Sequence, residues 1–221
     1  MSRHVLIVVT SADRMPNGEA TGLWLEEFAV PYHVFKEAGY RITVASPKGG
    51  ETPIDPRSRD ELQDHPEWTE AAEMLKHTGM LDSRLKAADF DAIFLPGGHG
   101  TMFDLPGHPE LGRLLAELDA QGKVWAAVCH GPAGFVGPKR ADSLPLVEGR
   151  EMTAFTDSEE HAVGLEKAVP FLLESTLREL GAIMKTAPDF SAYAIRDRNL
   201  ITGQNPPSSA KTAQLVVEAL S

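Results

Sequence analysis

The passage that most restricts what this chain can become is Val124-Trp125-Ala126-Ala127-Val128-Cys129-His130-Gly131-Pro132. In it a β-prone apolar run ends at the single cysteine among 221 residues. The order reads as strand, tight turn and helix, with Cys129 held at the bend. Ala127 and Gly131 lie two positions to either side of it, and a sharp strand-to-helix turn needs small residues there because the two backbone segments cross closely. A thiol at such a bend lies over a helix N-terminus, whose free N–H groups and partial positive charge favour the thiolate. A lone cysteine is more often inert packing, but its flanks here favour a functional one.

The remaining elements are read from periodicity. Residues 5–9 form a continuous apolar run, as in a strand buried on both faces. A loop over 10–20 precedes a helix expected from Thr21-Gly22 to about residue 38, with Pro31 expected to kink or break it. Strands are expected over 41–45 and 91–95, helices over 110–121, 170–181 and 210–220, and hairpins over 146–155 (turning at Glu148-Gly149) and 193–202. Strand–helix–strand alternation implies a parallel sheet. The expected fold is α/β: a doubly wound, mostly parallel sheet sandwiched by helices. Residues 1–221 read as one domain. Within it, residues 47–86 form a helical insertion, proline- and glycine-rich at first and charged over 67–86, that covers one sheet edge or the site.

Charge narrows the function classes. Twenty-one lysines and arginines against 32 aspartates and glutamates give a net charge of −11, which argues against nucleic-acid partners and anionic membrane surfaces. The apolar run at the N-terminus is too short to span a bilayer. A single cysteine allows no internal disulfide and suits a reducing, cytoplasmic setting.

In a doubly wound sheet, ligands gather beyond the C-terminal ends of the strands. That brings the cysteine turn beside Pro96-Gly97-Gly98-His99-Gly100-Thr101, a loop whose unencumbered amides suit an oxyanion hole, with the Gly98 and His130 N–H groups as donors. No G-x-G-x-x-G or G-x-x-x-x-G-K-[ST] is present, so nucleotide binding gets little weight. The first helix carries Trp24, Glu26 and Glu27, and only one of the two glutamates can face the sheet's active end. A carboxyl buried near the thiol would have a raised pKa and could shuttle a proton. His99 is a candidate pocket residue or a plain turn residue. His65-Pro66-Glu67 and His108-Pro109-Glu110 read as helix starts. Nothing in the histidine spacing demands a metal, and none is expected.

Thr21-Gly22-Leu23-Trp24-Leu25-Glu26-Glu27, Pro96 to Thr101, Ala126 to Pro132 and Thr202-Gly203-Gln204-Asn205-Pro206 together resemble the ThiJ/PfpI superfamily. This is the superfamily of the parkinsonism-associated deglycase, and the similarity is to its branch of cofactor-free glyoxalases (glyoxalase III) and holding chaperones. The resemblance runs in order through nearly the whole chain. It implies a flavodoxin-like or class I glutamine amidotransferase-like fold, no cofactor, a homodimer, and a small 2-oxoaldehyde as substrate. By the same resemblance the nucleophile falls on Cys129, its histidine on His130 and the helix carboxyl on Glu27. The acid of a Cys-His-acid triad falls on Glu160, with Asp157 and Glu159 competing. The implied activity is conversion of methylglyoxal to lactate through a cysteine hemithioacetal. Alternatives are a stress-responsive holding chaperone, a deglycase using the same residues, and a cysteine peptidase or amidase. A glutamine amidotransferase would need a His-x-Glu downstream of Cys129, whereas His161 is followed by Ala162-Val163.

Overall fold

The structure, a computed structural model, describes residues 2–221. The strands in chain order are β1 (His4–Val8), β2 (Arg41–Ser46), β3 (Gly79–Met80), β4 (Ala92–Leu95), β5 (Val124–Val128), β6 (Glu151–Met152), β7 (Ile183–Met184), β8 (Ala194–Asp197) and β9 (Leu200–Gly203). Seven of them form one sheet in the order β3-β2-β1-β4-β5-β9-β8, and only the β8–β9 pairing is antiparallel. Without the short edge strand β3 and the hairpin strand β8, the order is the 2-1-3-4-5 of flavodoxin-like proteins. The doubly wound α/β fold and the hairpin before the last helix match expectation.

Strand alternation splits the core between the two faces. Leu6, Val8, Ile93, Leu95, Trp125 and Ala127 pack with Leu111, Leu114, Leu115 and Leu118 of the helix Pro109–Ala120. Val5, Ile7, Phe94, Ala126 and Val128 face the opposite way, against Phe28 and Phe35 of the helix Leu25–Glu37 and Ala213 and Val216 of the helix Ser209–Leu220. Every residue of β1, β4 and β5 is buried, which explains why these strands read as unbroken apolar runs rather than alternating ones.

Four expectations need correction. The first helix begins at Leu25, not Thr21, because Leu23 is held in extended pairing by Pro53 and Asp55 (Leu23 N–H to Pro53 O and Asp55 N–H to Leu23 O, both 2.8 Å). Pro31 does not break that helix. Proline removes one backbone hydrogen bond, and burial of Leu25, Phe28, Ala29, Tyr32 and Phe35 outweighs the loss. No hairpin forms over 146–155: β6 pairs in parallel with the distant β7, Glu151 opposite Ile183, in a separate two-stranded sheet. The charged stretch 67–86 is helical only in short turns as far as His77, after which β3 joins the main sheet as its edge.

Candidate active site

Three chain segments meet beyond the C-terminal end of β5. Cys129 has φ of 59°, a left-handed conformation that non-glycine residues adopt at a cost of order 1–3 kcal/mol and that concentrates at functional sites. It is held from both sides: its N–H donates to Gly203 O at 3.0 Å, and its carbonyl accepts from Phe155 N–H at 2.9 Å. Gly131 is obligatory at the turn, since a Cβ there would lie 2.0 Å from the Leu95 carbonyl oxygen. Beyond the bend lies a five-residue 3-10 turn, Gly131–Phe135, and not the longer helix expected.

From the sulfur a line of hydrogen bonds runs through four side chains. Cys129 Sγ lies 3.2 Å from His130 Nδ1, and His130 Nε2 lies 2.7 Å from Glu160 Oε2. The other oxygen of Glu160 lies 2.8 Å from His99 Nε2, and His99 Nδ1 lies 3.3 Å from Arg57 Nη2. Arg57 is in turn clamped by Asp55, Nε to Oδ1 at 2.9 Å and Nη2 to Oδ2 at 2.7 Å. The partners assign the tautomers. A guanidinium only donates, so His99 accepts at Nδ1 and carries its proton on Nε2. A carboxylate only accepts, so His130 is protonated on Nε2 and presents a bare Nδ1 to the thiol.

The electrostatics agree with that assignment. Burial, followed by the neighbouring His99, lowers the His130 pKa to about 4, so its ring is neutral at physiological pH. Burial alone would raise Glu160, but hydrogen bonds from His130 and His99 outweigh it and hold the carboxyl well below its usual range. Glu27 is wholly buried. Its Oε2 accepts from Gly97 N–H at 2.7 Å, while Oε1 has no conventional partner and the carboxyl contacts the Cys129 thiol. Burial pushes Glu27 well above the normal carboxylate pKa. It also pushes Cys129 up, reinforced by proximity to Glu27. The helix-terminus effect that favours a thiolate is therefore overridden: the resting group is a thiol facing a neutral imidazole.

Of the three competing acids, Glu160 is the one that reaches His130. Glu159 is buried as a hub, accepting from Phe190 N–H (2.7 Å), Gln204 Nε2 (3.1 Å) and Asn205 Nδ2 (2.8 Å). Asp157 bonds Ser175 instead. One capping box places all three, with Thr156 as N-cap and Glu159 at the third helical position. Trp24, Gly98 and His99 line the same cavity of about 420 Å³ as Cys129 and His130, and so do Arg57, Phe155, Val163, Phe190, Pro206 and Pro207. The Gly98 amide makes no hydrogen bond among the described residues, and the His130 amide lies against the Cys129 sulfur. His99, His130 and Glu160 also bring three potential ligand atoms within 4.8 Å of one another, a convergence that the sequence spacing did not show. A metal there would have to displace both Nε2 protons.

Sequence reasoning missed Arg57, Asp55 and Phe190. Asp55-Pro56 carries an N-cap signature, and Asp55 does cap Arg57 N–H at 3.0 Å, but nothing in that signature points across to His99. Phe190 had no signal: it is an aromatic in a loop.

A model of the DJ-1/PfpI family matches residues 20–219. Glyoxalase 3 of Candida albicans is 31% identical over 97% of this chain and 97% of its own length. The glutathione-independent glyoxalase HSP31 of Saccharomyces cerevisiae is 28% identical over 99% and 98%. The crystal structure of the Candida glyoxalase III superposes with a TM-score of 0.87 at 31% identity, covering 98% of this chain and 97% of that one. The Rapid Encystment Protein of Francisella tularensis superposes with a TM-score of 0.91 at 35% identity, covering 99% of each chain.

Proposed function

The chain belongs to the DJ-1/PfpI family, and from that premise and the geometry above we propose that it is a glutathione-independent glyoxalase that converts a 2-oxoaldehyde to the corresponding 2-hydroxy acid. The carrying observation is the unbroken line Cys129 Sγ, His130, Glu160 at 3.2 and 2.7 Å, with the Glu27 carboxyl also in contact with the thiol. A thiol, a base oriented by a carboxylate, and a second acid in one cavity are the groups such a reaction uses.

Cys129 gives its proton to His130 Nδ1 as sulfur adds to the aldehyde carbon, and the alkoxide takes that proton to give a hemithioacetal. His130 then removes the hydrogen on C1, leaving an enediolate whose oxygen accepts from the Gly98 and His130 amides. His130 returns the proton to C2, while Glu27 relays the C1 hydroxyl proton to the C2 oxygen. The product is a 2-hydroxyacyl thioester on Cys129. Water activated by His130 hydrolyses it, releasing the 2-hydroxy acid and restoring the thiol. The net change is addition of one water, with no external oxidant or reductant.

The chemistry also fits better than a holding surface does. Large hydrophobics exposed among the described residues are Met74, Met80, Leu144, Val163, Ile183 and Phe190, and two of these belong to the cavity. We place the enzyme in the cytoplasm as a homodimer, a state that sedimentation checks directly. No helix of the described chain is long and apolar enough to cross a membrane. The functional test is lactate formation from methylglyoxal by chelator-treated protein without glutathione. Cys129→Ala should reduce it to the uncatalysed rate, and lactate formed at the wild-type rate by that variant would refute the mechanism.

A further inference from the structure

Phe190 is held in a conformation its backbone does not favour. Its φ is 57°, and its N–H donates to Oε1 of the buried Glu159 at 2.7 Å. The same oxygen holds Gln204 and Asn205 of the segment that leads into Pro206 and Pro207. Such a conformation persists only where the surroundings over-determine it, and here the hydrogen bond to buried Glu159 does so. The result leaves a large aromatic 44% exposed. Its ring is 6.2 Å from that of Phe155, which lies 4.4 Å from the His130 ring. Val163, also exposed, and the two prolines complete an apolar rim around Cys129.

Cavity size and wall charge bear on what enters. The cavity, at about 420 Å³, falls within the range of roughly 300–1,000 Å³ that accommodates drug-sized ligands, whereas methylglyoxal carries only a methyl group. Among the described residues Arg57 is the one cationic side chain in the wall, and it is paired with Asp55 through Nε and Nη2 and tied to His99. The Asp55 carboxylate beside it offsets its pull on a carboxylate or phosphate substituent.

We propose, resting on the glyoxalase reading, that the cavity selects 2-oxoaldehydes whose substituent is bulky, neutral and apolar, aromatic above all, and that Phe190 is the residue that determines this selection. The substituent packs against Phe190 and Phe155 while the dicarbonyl end reaches Cys129.

The test compares initial kcat/KM for phenylglyoxal and methylglyoxal, followed as mandelate and lactate, in wild type, Phe190→Ala and Phe190→Trp. Wild type should prefer phenylglyoxal by about tenfold or more, the size of discrimination a hydrophobic pocket supplies. Phe190→Ala should collapse that ratio, and Phe190→Trp should restore it. Val163→Ser, on the same rim, should lower the ratio too, and covers the case in which Phe190→Ala does not fold. A preference for methylglyoxal, or a ratio unmoved by these substitutions, overturns the proposal. Binding of acetophenone, which the enzyme cannot turn over, separates the two readings. Saturable binding weakened by Phe190→Ala supports the selectivity even if neither aldehyde is consumed, in which case the glyoxalase reading is what fails. Absence of saturable acetophenone binding overturns the selectivity whatever the turnover.

Discussion

Glu27 and Cys129 are two acids buried against one another, and their surroundings have room for at most one negative charge between them. Burial favours the neutral carboxyl and the neutral thiol alike, so the proton that frees the sulfur must go to His130. That makes the protonation state of one imidazole decisive. Because the His130 pKa is lowered to about 4, its Nδ1 is bare above that pH and blocked below it. The acid limb of kcat/KM is accordingly expected near pH 4, not near the ordinary histidine value of about 6.5. A pH–rate profile checks this. Stability depends on the same ring: between 4 and about 6.5 the unfolded chain binds a proton that the folded one refuses, so this residue makes stability rise with pH across that window. Glu160→Gln removes the charge that orients His130 and should lower kcat by about 10²–10⁴-fold, the usual worth of positioned acid–base catalysis, measured at saturating substrate.

The bend between β5 and the 3-10 turn depends on atoms that are absent. Gly131→Ala would drive a methyl group into the Leu95 carbonyl, and neither backbone segment can yield without disturbing β4 or β5. A loss of about 3 kcal/mol is expected, or about 6–12 °C in Tm for a chain of this size, with activity lost in whatever remains folded. Thermal unfolding of the purified variant reads it. The small residues around Cys129 made this element legible from sequence, as the apolar runs did for β1, β4 and β5. The stretch 146–155 was misread because it looks locally like a hairpin, while its real partner, β7, lies far along the chain. Nothing local in a two-residue strand names a distant neighbour. Arg57 was invisible for a related reason: its role is defined by His99, 42 positions away.

Across the whole molecule, rigidity and looseness divide by segment. β1, β4 and β5 are buried between two helical layers. Residues 56–77 are four short turns or helices of three to four residues and one of six, each too short to be stable on its own. We propose that residues 47–86, which contain these short elements, are an insertion within a single domain. Amide hydrogen exchange should then be slowest in the central strands and fastest over 56–77, with one global unfolding transition. Two resolved transitions would show the segment to be a unit of its own. The site draws on both regimes, since Cys129 and His130 come from the rigid strand end and Arg57 from the looser segment. Fold class and the bend at Cys129 could be read from sequence because both depend on short local patterns, whereas the roles of Cys129 and His130 and the choice of Glu27 over Glu26 came only with the family resemblance. The far half of the hydrogen-bonded line could not, because it exists only after folding.

The left-handed backbone at residue 129 is fixed by Gly203, Phe155 and the glycine two positions on, and the sulfur has no part in creating it. Replacing that side chain by glycine would, if anything, ease the main chain. A descendant that lost its reactive atom would keep this bend, so the architecture can persist after its original reaction has gone and be recruited for another.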